Sequence, residues 1–512
     1  MAPQEPLPSV TTRTVPGPAP NGMGNGLFAT EDIKVGEDVV HAKTPFVAIL
    51  DSPRLEDTCS GCFGKRQMAG NSDLKACTGC RVVKYCDRVC QAKDWKFAHS
   101  MECKIFQKLK PQILPNNVRA ILRMVLRTGK GKYTAQELGV FSNLETHITE
   151  IQQNQTQMDR VSLTAKAVKG YSETDMTEEA ICAYAARLDL NSFNLTTALY
   201  DRIGLYLHPY AALINHSCDY NATVGFDGEE LFIKAIKPIK KHEQIFISYI
   251  DTTTPLQVRR SELSERYYFT CKCPKCSKGP NPNLNESQNE SLSTSPDTDD
   301  NPTAIVETAE RDALELLNAA SDSDADSSTS IKSLNKGLNL LASSATWSLS
   351  RQPYPQLRDQ IILSYLSTNS FSAAFIHAAI RYLRVDPLIY SPAHPIRQLH
   401  AWILAKLAIY LSQSFETKPD DPVRLEDFQL NFHFILWYVL ADLASRQMES
   451  CTVPSFRTLV GANFKQVNDE FRAQGIDLGS NSQAKALLGG AWANLERLVD
   501  AALEKESVPN FD

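Results

Sequence analysis

Eight metal-ligating residues between positions 59 and 103 restrict this chain more than any other stretch. Cys59 and Cys62, and again Cys77 and Cys80, are separated by two residues, a spacing that lets two thiolates converge on one tetrahedral ion. Cys86 and Cys90, like His99 and Cys103, stand four apart and share a face wherever the backbone is helical. Seven thiolates and one imidazole are enough for two closed zinc sites. A module this short buries little core, so the metal supplies much of its folding free energy. Nine Lys and Arg face four Asp and Glu between 59 and 104. The thiolates offset part of that excess, leaving a modestly basic surface that DNA phosphates could use.

Composition excludes more than it selects. A chain of 512 residues predicts two to four domains, and a net charge of -6 provides no global basic field for nucleic acid. No run of 18 apolar residues is present, and the proline-rich N-terminus lacks the apolar core of a leader, so no membrane partner is expected. The expected location is the nucleus and/or cytoplasm, as a monomer. In such a reducing compartment thirteen cysteines point to metal rather than disulfides.

Prolines at 3, 6, 8, 16, 18 and 20 predict a flexible tail over 1–20. From 21 to 58 the glycine-bracketed turn Gly22-Met23-Gly24-Asn25-Gly26 leads into short β segments. After the metal module at 59–103, Val118, Ile121, Leu122, Val125 and Leu126 keep helical spacing, which predicts a helical insert over 104–190. β character returns over 191–254, in Leu231–Ile236 and Gln244–Ile250, and a last cysteine cluster falls in 255–278. Residues 279–303 are polar and rich in Pro and Ser, as a solvated linker would be. Residues 304–512 predict helices throughout, and Tyr365, Phe371, Ala374 and Pro387 resemble a degenerate tetratricopeptide unit.

Two further clusters carry chemistry. Asn215-His216-Ser217-Cys218 places an amide, an imidazole, a hydroxyl and a thiol in succession, a density that core packing does not ask for. Cys271, Cys273 and Cys276 are three thiolates short of a fourth ligand. With GMGNGLF at 22–28, IFISYID at 245–251 and YYFTCKCPKC at 267–276, the order of motifs resembles the SET and MYND domain-containing (SMYD-type) protein-lysine methyltransferases over about Gly22 to Cys276. The resemblance implies an α+β architecture. A β-rich SET fold is interrupted by a MYND zinc finger and a helical insert, then followed by a zinc-binding post-SET segment and an all-helical, TPR-like C-terminal domain.

It also implies roles. Cys59, Cys62, Cys86 and Cys90 would hold one zinc, Cys77, Cys80, His99 and Cys103 a second, and Cys218 would join Cys271, Cys273 and Cys276 around a third. Cys182 and Cys451 are left as buried thiols. The cofactor is S-adenosyl-L-methionine, contacted by Gly24, Asn25, Gly26, Asn215, His216 (largely through its backbone) and Phe269. Tyr249 is the catalytic tyrosine, and Tyr267 lines an aromatic channel for the lysine of a histone or non-histone protein. The chain departs from the family pattern at Met23, at Tyr220 and at His242, which stands where a glycine usually precedes Glu243. The zinc finger is associated with protein partners, often proline-rich peptides, and sometimes with DNA. The alternative is a catalytically silent scaffold or transcriptional co-regulator binding proteins or DNA through the finger.

Overall fold

The computed structural model describes residues 7, 9–20, 22–70, 73–278, 302–322, 326–344, 347–413, 423–476, 478 and 482–507. Two compact units divide the chain: 1–250 with 260–273 and 451–456, and 251–259 with 274–450 and 457–512. Among the described residues no helix is long and apolar enough to cross a membrane.

The first unit is built on small sheets. Its strands are β1 Val10–Thr12, β2 Thr14–Pro18, β3 Asn25–Ala29, β4 Asp38–Ala42, β5 Val47–Leu50, β6 Lys75–Ala76, β7 Lys84–Tyr85, β8 Phe193–Thr196, β9 Arg202–Leu207, β10 Asn215–His216, β11 Ala222–Asp227, β12 Glu230–Ala235 and β13 Phe246–Ile247. They pair as β1-β4-β12-β11, β5-β9-β8, β2-β3, β10-β13 and β6-β7. β5 is buried at every position because the helix Asn116–Gly129 packs over it. Gly204 of β9 allows that sheet to close, since a Cβ there would lie 1.9 Å from the Ile49 carbonyl oxygen.

Residues 10–18 do not form the expected tail. β1 pairs with β4, and β2 pairs with β3 with Pro16 opposite Leu27 and Pro18 opposite Asn25. β2 has one neighbour only, and an edge strand tolerates prolines that cannot donate to a ladder. Residues 1–6 lie outside the described part, as does the expected linker up to residue 301; its last two residues, 302 and 303, open the helix Pro302–Ala320.

The helical insert carries a stripe that its apolar periodicity hides. Arg119, Arg123 and Arg127 repeat every four residues along Asn116–Gly129 and are all buried. Arg119 donates to the carbonyls of Leu50 (2.7 Å) and Leu114 (3.0 Å), and Arg123 to that of Ala48 (2.9 Å). Arg123 also forks onto Glu102 at 2.7 and 2.8 Å. Arg127 donates to the Phe97 carbonyl at 2.5 Å and stacks 3.8 Å over the Phe97 ring. The three guanidiniums thus tie the insert to β5 on one side and to the zinc module on the other. Burial alone would raise the Glu102 pKa; Arg123 outweighs it and brings that carboxyl down to about 2.

Residues 451–456 complete this unit from far along the chain. The Cys451 thiol donates to the Ala235 carbonyl at 3.1 Å, and Ser455 donates to Asp227 from its hydroxyl (2.6 Å) and its N–H (3.1 Å). Gly225 leaves room for Val453, whose Cγ1 would stand 2.8 Å from a Cβ there. Cys451 is buried as expected; Cys182, on the helix Glu178–Asn191, is only half-buried, packed against the margin of the core.

His208, just after β9, is buried, and its Nδ1 has no hydrogen-bond partner among the described residues. Burial lowers its pKa from the usual 6.5 to about 4. The folded state therefore prefers the neutral imidazole, and the unfolded chain takes up the proton first. The resulting stability is whole above pH 6.5 and drains away between 6.5 and 4, by about 3 kcal/mol in total. Urea midpoints measured across that window should fall with pH, and His208→Leu should flatten the slope.

The second unit is helical, and helices consecutive in the chain pack on one another from Pro302–Ala320 through Ser327–Ser343, Tyr354–Ser367 and Phe371–Ile380. Its core is partly ionic. Arg358, with no exposed surface, donates to Glu506 at 2.6 and 2.9 Å and to His377 Nδ1 at 2.6 Å, and it bonds the Tyr354 hydroxyl. Arg381 pairs with Asp359 (2.7 Å) and with the buried Asp386 (3.0 Å), which His400 also contacts at 2.9 Å. Removing one partner of such a pair leaves a bare buried charge. Glu506→Leu should lower the stability of this unit by about 3 kcal/mol, and adding Arg358→Met should recover most of it. Paired denaturant titrations of the single and double variants check this.

Candidate active site and metal centres

Among the described residues three groups of four ligands form between Cys59 and Cys276, each with its ligand atoms within 4.8 Å of one another: Cys59, Cys62, Cys86 and Cys90; Cys77, Cys80, His99 and Cys103; and Cys218, Cys271, Cys273 and Cys276. All twelve residues predicted to bind metal are used, in the predicted partition. A tetrahedron with zinc–sulfur bonds of about 2.3 Å has sulfur–sulfur edges of about 3.8 Å. Cys62 and Cys86 are 3.8 Å apart, and Cys77 and Cys103 are 3.9 Å apart. Backbone N–H groups of Cys86 and Val82 donate to the sulfurs of Cys59 and Cys80 at 3.3 and 3.4 Å, as thiolate ligands favour. These donor sets fit three structural zinc ions, each closed by four protein ligands.

Local backbone explains the convergence. Gly61 is required because a Cβ there would stand 2.3 Å from the Cys90 carbonyl oxygen, and Gly79 because one would stand 2.8 Å from Cys103 Sγ. Asp87 caps the helix Arg88–Asp94 by accepting from the Cys90 N–H, which fixes the Cys86/Cys90 pair. His99 ends a π-helical turn, Trp95–His99, that aims Nε2 at Cys77 (3.4 Å) and Cys80 (3.5 Å). Much of the module's basic charge is used internally: Lys65 pairs with Glu230 and Asp227, Arg66 with Asp87, Lys84 with Glu56, and Lys93 with Glu229.

A second constellation gathers residues far apart in the chain. β10 runs parallel to β13, pairing Asn215 with Phe246 and His216 with Ile247. The Asn215 amide donates to the Asn25 carbonyl at 3.0 Å. Gly24 takes φ +67°, and a Cβ on Gly26 would lie 3.1 Å from Asn215 Nδ2 and 2.5 Å from Gln244 Nε2. Two residues past β13, the Tyr249 hydroxyl donates to the Ile214 carbonyl at 2.6 Å, and its ring lies 5.0 Å from that of Tyr267. Phe269 stands 5.9 Å from the His216 ring. Burial raises the pKa of both tyrosines, so the phenols stay protonated.

All eight residues predicted for cofactor and catalysis therefore fall on Gly24 and the start of β3, β10, the turn after β13 and the Tyr267–Phe269 stretch. Gln244 was not foreseen: its side chain is buried against Gly26, and its Nε2 has no partner among the described residues. It stands opposite Phe28 in a β-bridge, a pairing that the sequence does not announce. His242 adopts φ +70°, the left-handed region where glycine is at ease, which explains the glycine usual at that place. A cavity of about 450 Å³ opens beside Tyr268, between Arg160 and Asp189 of the insert, Phe193, and Glu262 and Arg266. It contains none of the eight predicted residues.

The sequence comparisons agree with this layout. A family model described as SET domain matches residues 24–250, so that stretch is a SET domain, with the zinc module lodged inside it. The chain is 32% identical over 258 residues to the SET domain and MYND-type zinc finger protein 6 of Schizosaccharomyces pombe, covering 50% of each. It is 30% identical over 263 residues to the human histone-lysine N-methyltransferase SMYD3, covering 49% of this chain and 59% of that one. To the Arabidopsis thaliana histone-lysine N-methyltransferase ASHR1 it is 27% identical over 264 residues, 50% and 53% of the two chains. The chain spans about half the length of the curated relatives it matches. A solved structure of Rubisco LSMT bound to AdoMet aligns at 13% identity and a TM-score of 0.29 over 94% of this chain and 95% of its own, too low a score to carry weight.

Proposed function

We propose that this protein is an S-adenosylmethionine-dependent protein-lysine N-methyltransferase whose substrates are lysines of histone or other proteins. The observation that carries the reading is the Asn215 amide on the Asn25 carbonyl, with the Tyr249 phenol anchored on the residue before Asn215. The relatives named as lysine methyltransferases support it.

The cofactor would supply the methyl group on its sulfonium. A Cβ at Gly24 would meet nothing within 4 Å, and the buried Nε2 of Gln244, without a partner among the described residues, is a donor beside Gly26, so the residues present fit a polar amino-acid ligand. Asn25, Asn215 and the His216 backbone would hold that ligand, and Phe269 would cover its adenine. Methyl transfer needs a neutral amine in collinear approach. Tyr249 and Tyr267 would enclose the lysine stem, because an apolar channel favours the neutral amine, and the Tyr249 hydroxyl would orient it. The polypeptide around the target lysine would lie in the cavity beyond Tyr268.

Zinc-module pairs with Glu230, Asp87, Glu56 and Glu229 weaken the case for DNA as a partner. Val89 and Trp95 are exposed on the module and suit a proline-rich peptide. The nucleus and cytoplasm are the compartments in which such substrates are met. Incubation with labelled S-adenosylmethionine and a lysine-rich protein pool should transfer label. Absence of both transfer and calorimetric cofactor binding removes the proposal.

A further inference from the structure

The His216 ring has a role separate from its backbone. It is buried, its Nδ1 lies 3.0 Å from the Tyr249 backbone nitrogen, and its Nε2 lies 3.3 Å from Cys218 Sγ. A backbone N–H can only donate, so Nδ1 must accept, and an accepting ring nitrogen carries no proton. In the neutral imidazole the proton then sits on Nε2, facing the sulfur. A zinc-bound thiolate accepts that proton well. The opposite tautomer would set two N–H groups against each other at Tyr249.

We propose that His216 is a positioning residue that fastens the Tyr249 backbone to the third metal group through Cys218. Two residues supply the two ties: His216 Nδ1 holds Tyr249 at its backbone nitrogen, while the Ile214 carbonyl, two positions before His216, holds the phenol. The tyrosine is thereby held at both ends, and the Cys218 sulfur offers an acceptor for the Nε2–H of the tautomer that makes the first hold possible. This rests on Tyr249 acting as proposed above only for its effect on turnover; the linkage itself does not.

The test uses the full chain with His216→Asn and His216→Gln. Asparagine can still accept from the Tyr249 N–H but does not reach Cys218, whereas glutamine reaches toward the sulfur but leaves the N–H without its acceptor. Cadmium-113 spectra of the cadmium-loaded protein should show one metal resonance displaced in His216→Asn, the other two staying in place. Amide exchange at Tyr249 should speed up about tenfold in His216→Gln, the equivalent of one lost hydrogen bond. Cofactor affinity should stay within about threefold in both variants, because the backbone makes that contact, while turnover falls about tenfold. Unmoved cadmium resonances, or unchanged Tyr249 exchange, overturn the linkage. If the wild-type protein neither binds cofactor nor transfers methyl, the proposed activity fails, and the spectra and exchange rates still decide the linkage.

Discussion

Tyr249→Phe should reduce methyl transfer about 100-fold or more while leaving cofactor affinity within a few-fold. The hydroxyl removed is the one that donates to the Ile214 carbonyl at 2.6 Å, and the ring that remains keeps its place 5.0 Å from Tyr267. The change therefore removes one polar contact without opening a void of any size. Single-turnover kinetics with labelled cofactor, alongside calorimetry, separate the two effects. A variant as fast as wild type would show that the phenol oxygen takes no part in the reaction, whereas a slow variant that leaves the cellular phenotype intact would favour a scaffold.

Arg123→Met should be the most damaging single change to stability. It strips the buried Glu102 of both its hydrogen bonds and frees the Ala48 carbonyl inside the β5 layer. Leaving a buried carboxylate unpaired costs about 3–5 kcal/mol, which for a unit of this size lowers the thermal midpoint by roughly 6–15 °C. Because Glu102 lies one residue before the zinc ligand Cys103, chelator should also extract metal from the variant sooner. Replacing Glu102 by Met at the same time should restore most of the midpoint, since a matched apolar pair leaves nothing unpaired. Scanning calorimetry of the wild type and the two variants checks the order.

The metal centres were legible because covalent spacing nearly decides them: a pair of thiols two residues apart has few other arrangements that pay. The residues proposed for the cofactor came from the resemblance alone, and the structure brings two of them, Asn215 and Asn25, together. What escaped notice was set by neighbours far away in the chain. The prolines at 16 and 18 read as disorder, yet β3 supplies an edge on which they can sit. The arginines at 119, 123 and 127 stood unremarked beside the apolar stripe, although the carbonyls of Ala48, Leu50 and Phe97 await them. Gln244 looked like one more polar residue of an alternating strand until Gly26 placed it beside Asn215.

The contribution of residues 451–456 to the first unit bears on how this protein is made. Every residue assigned to metal or cofactor has left the ribosome by Cys276, but the pieces that contact Gly225, Ala235 and Asp227 follow some 175 residues later. A stop codon placed in the 279–303 segment would keep every ligand yet leave the β11–β12 hairpin bare. Truncations drawn at that apparent boundary should aggregate, whereas supplying the missing hexapeptide on a short tether should rescue solubility.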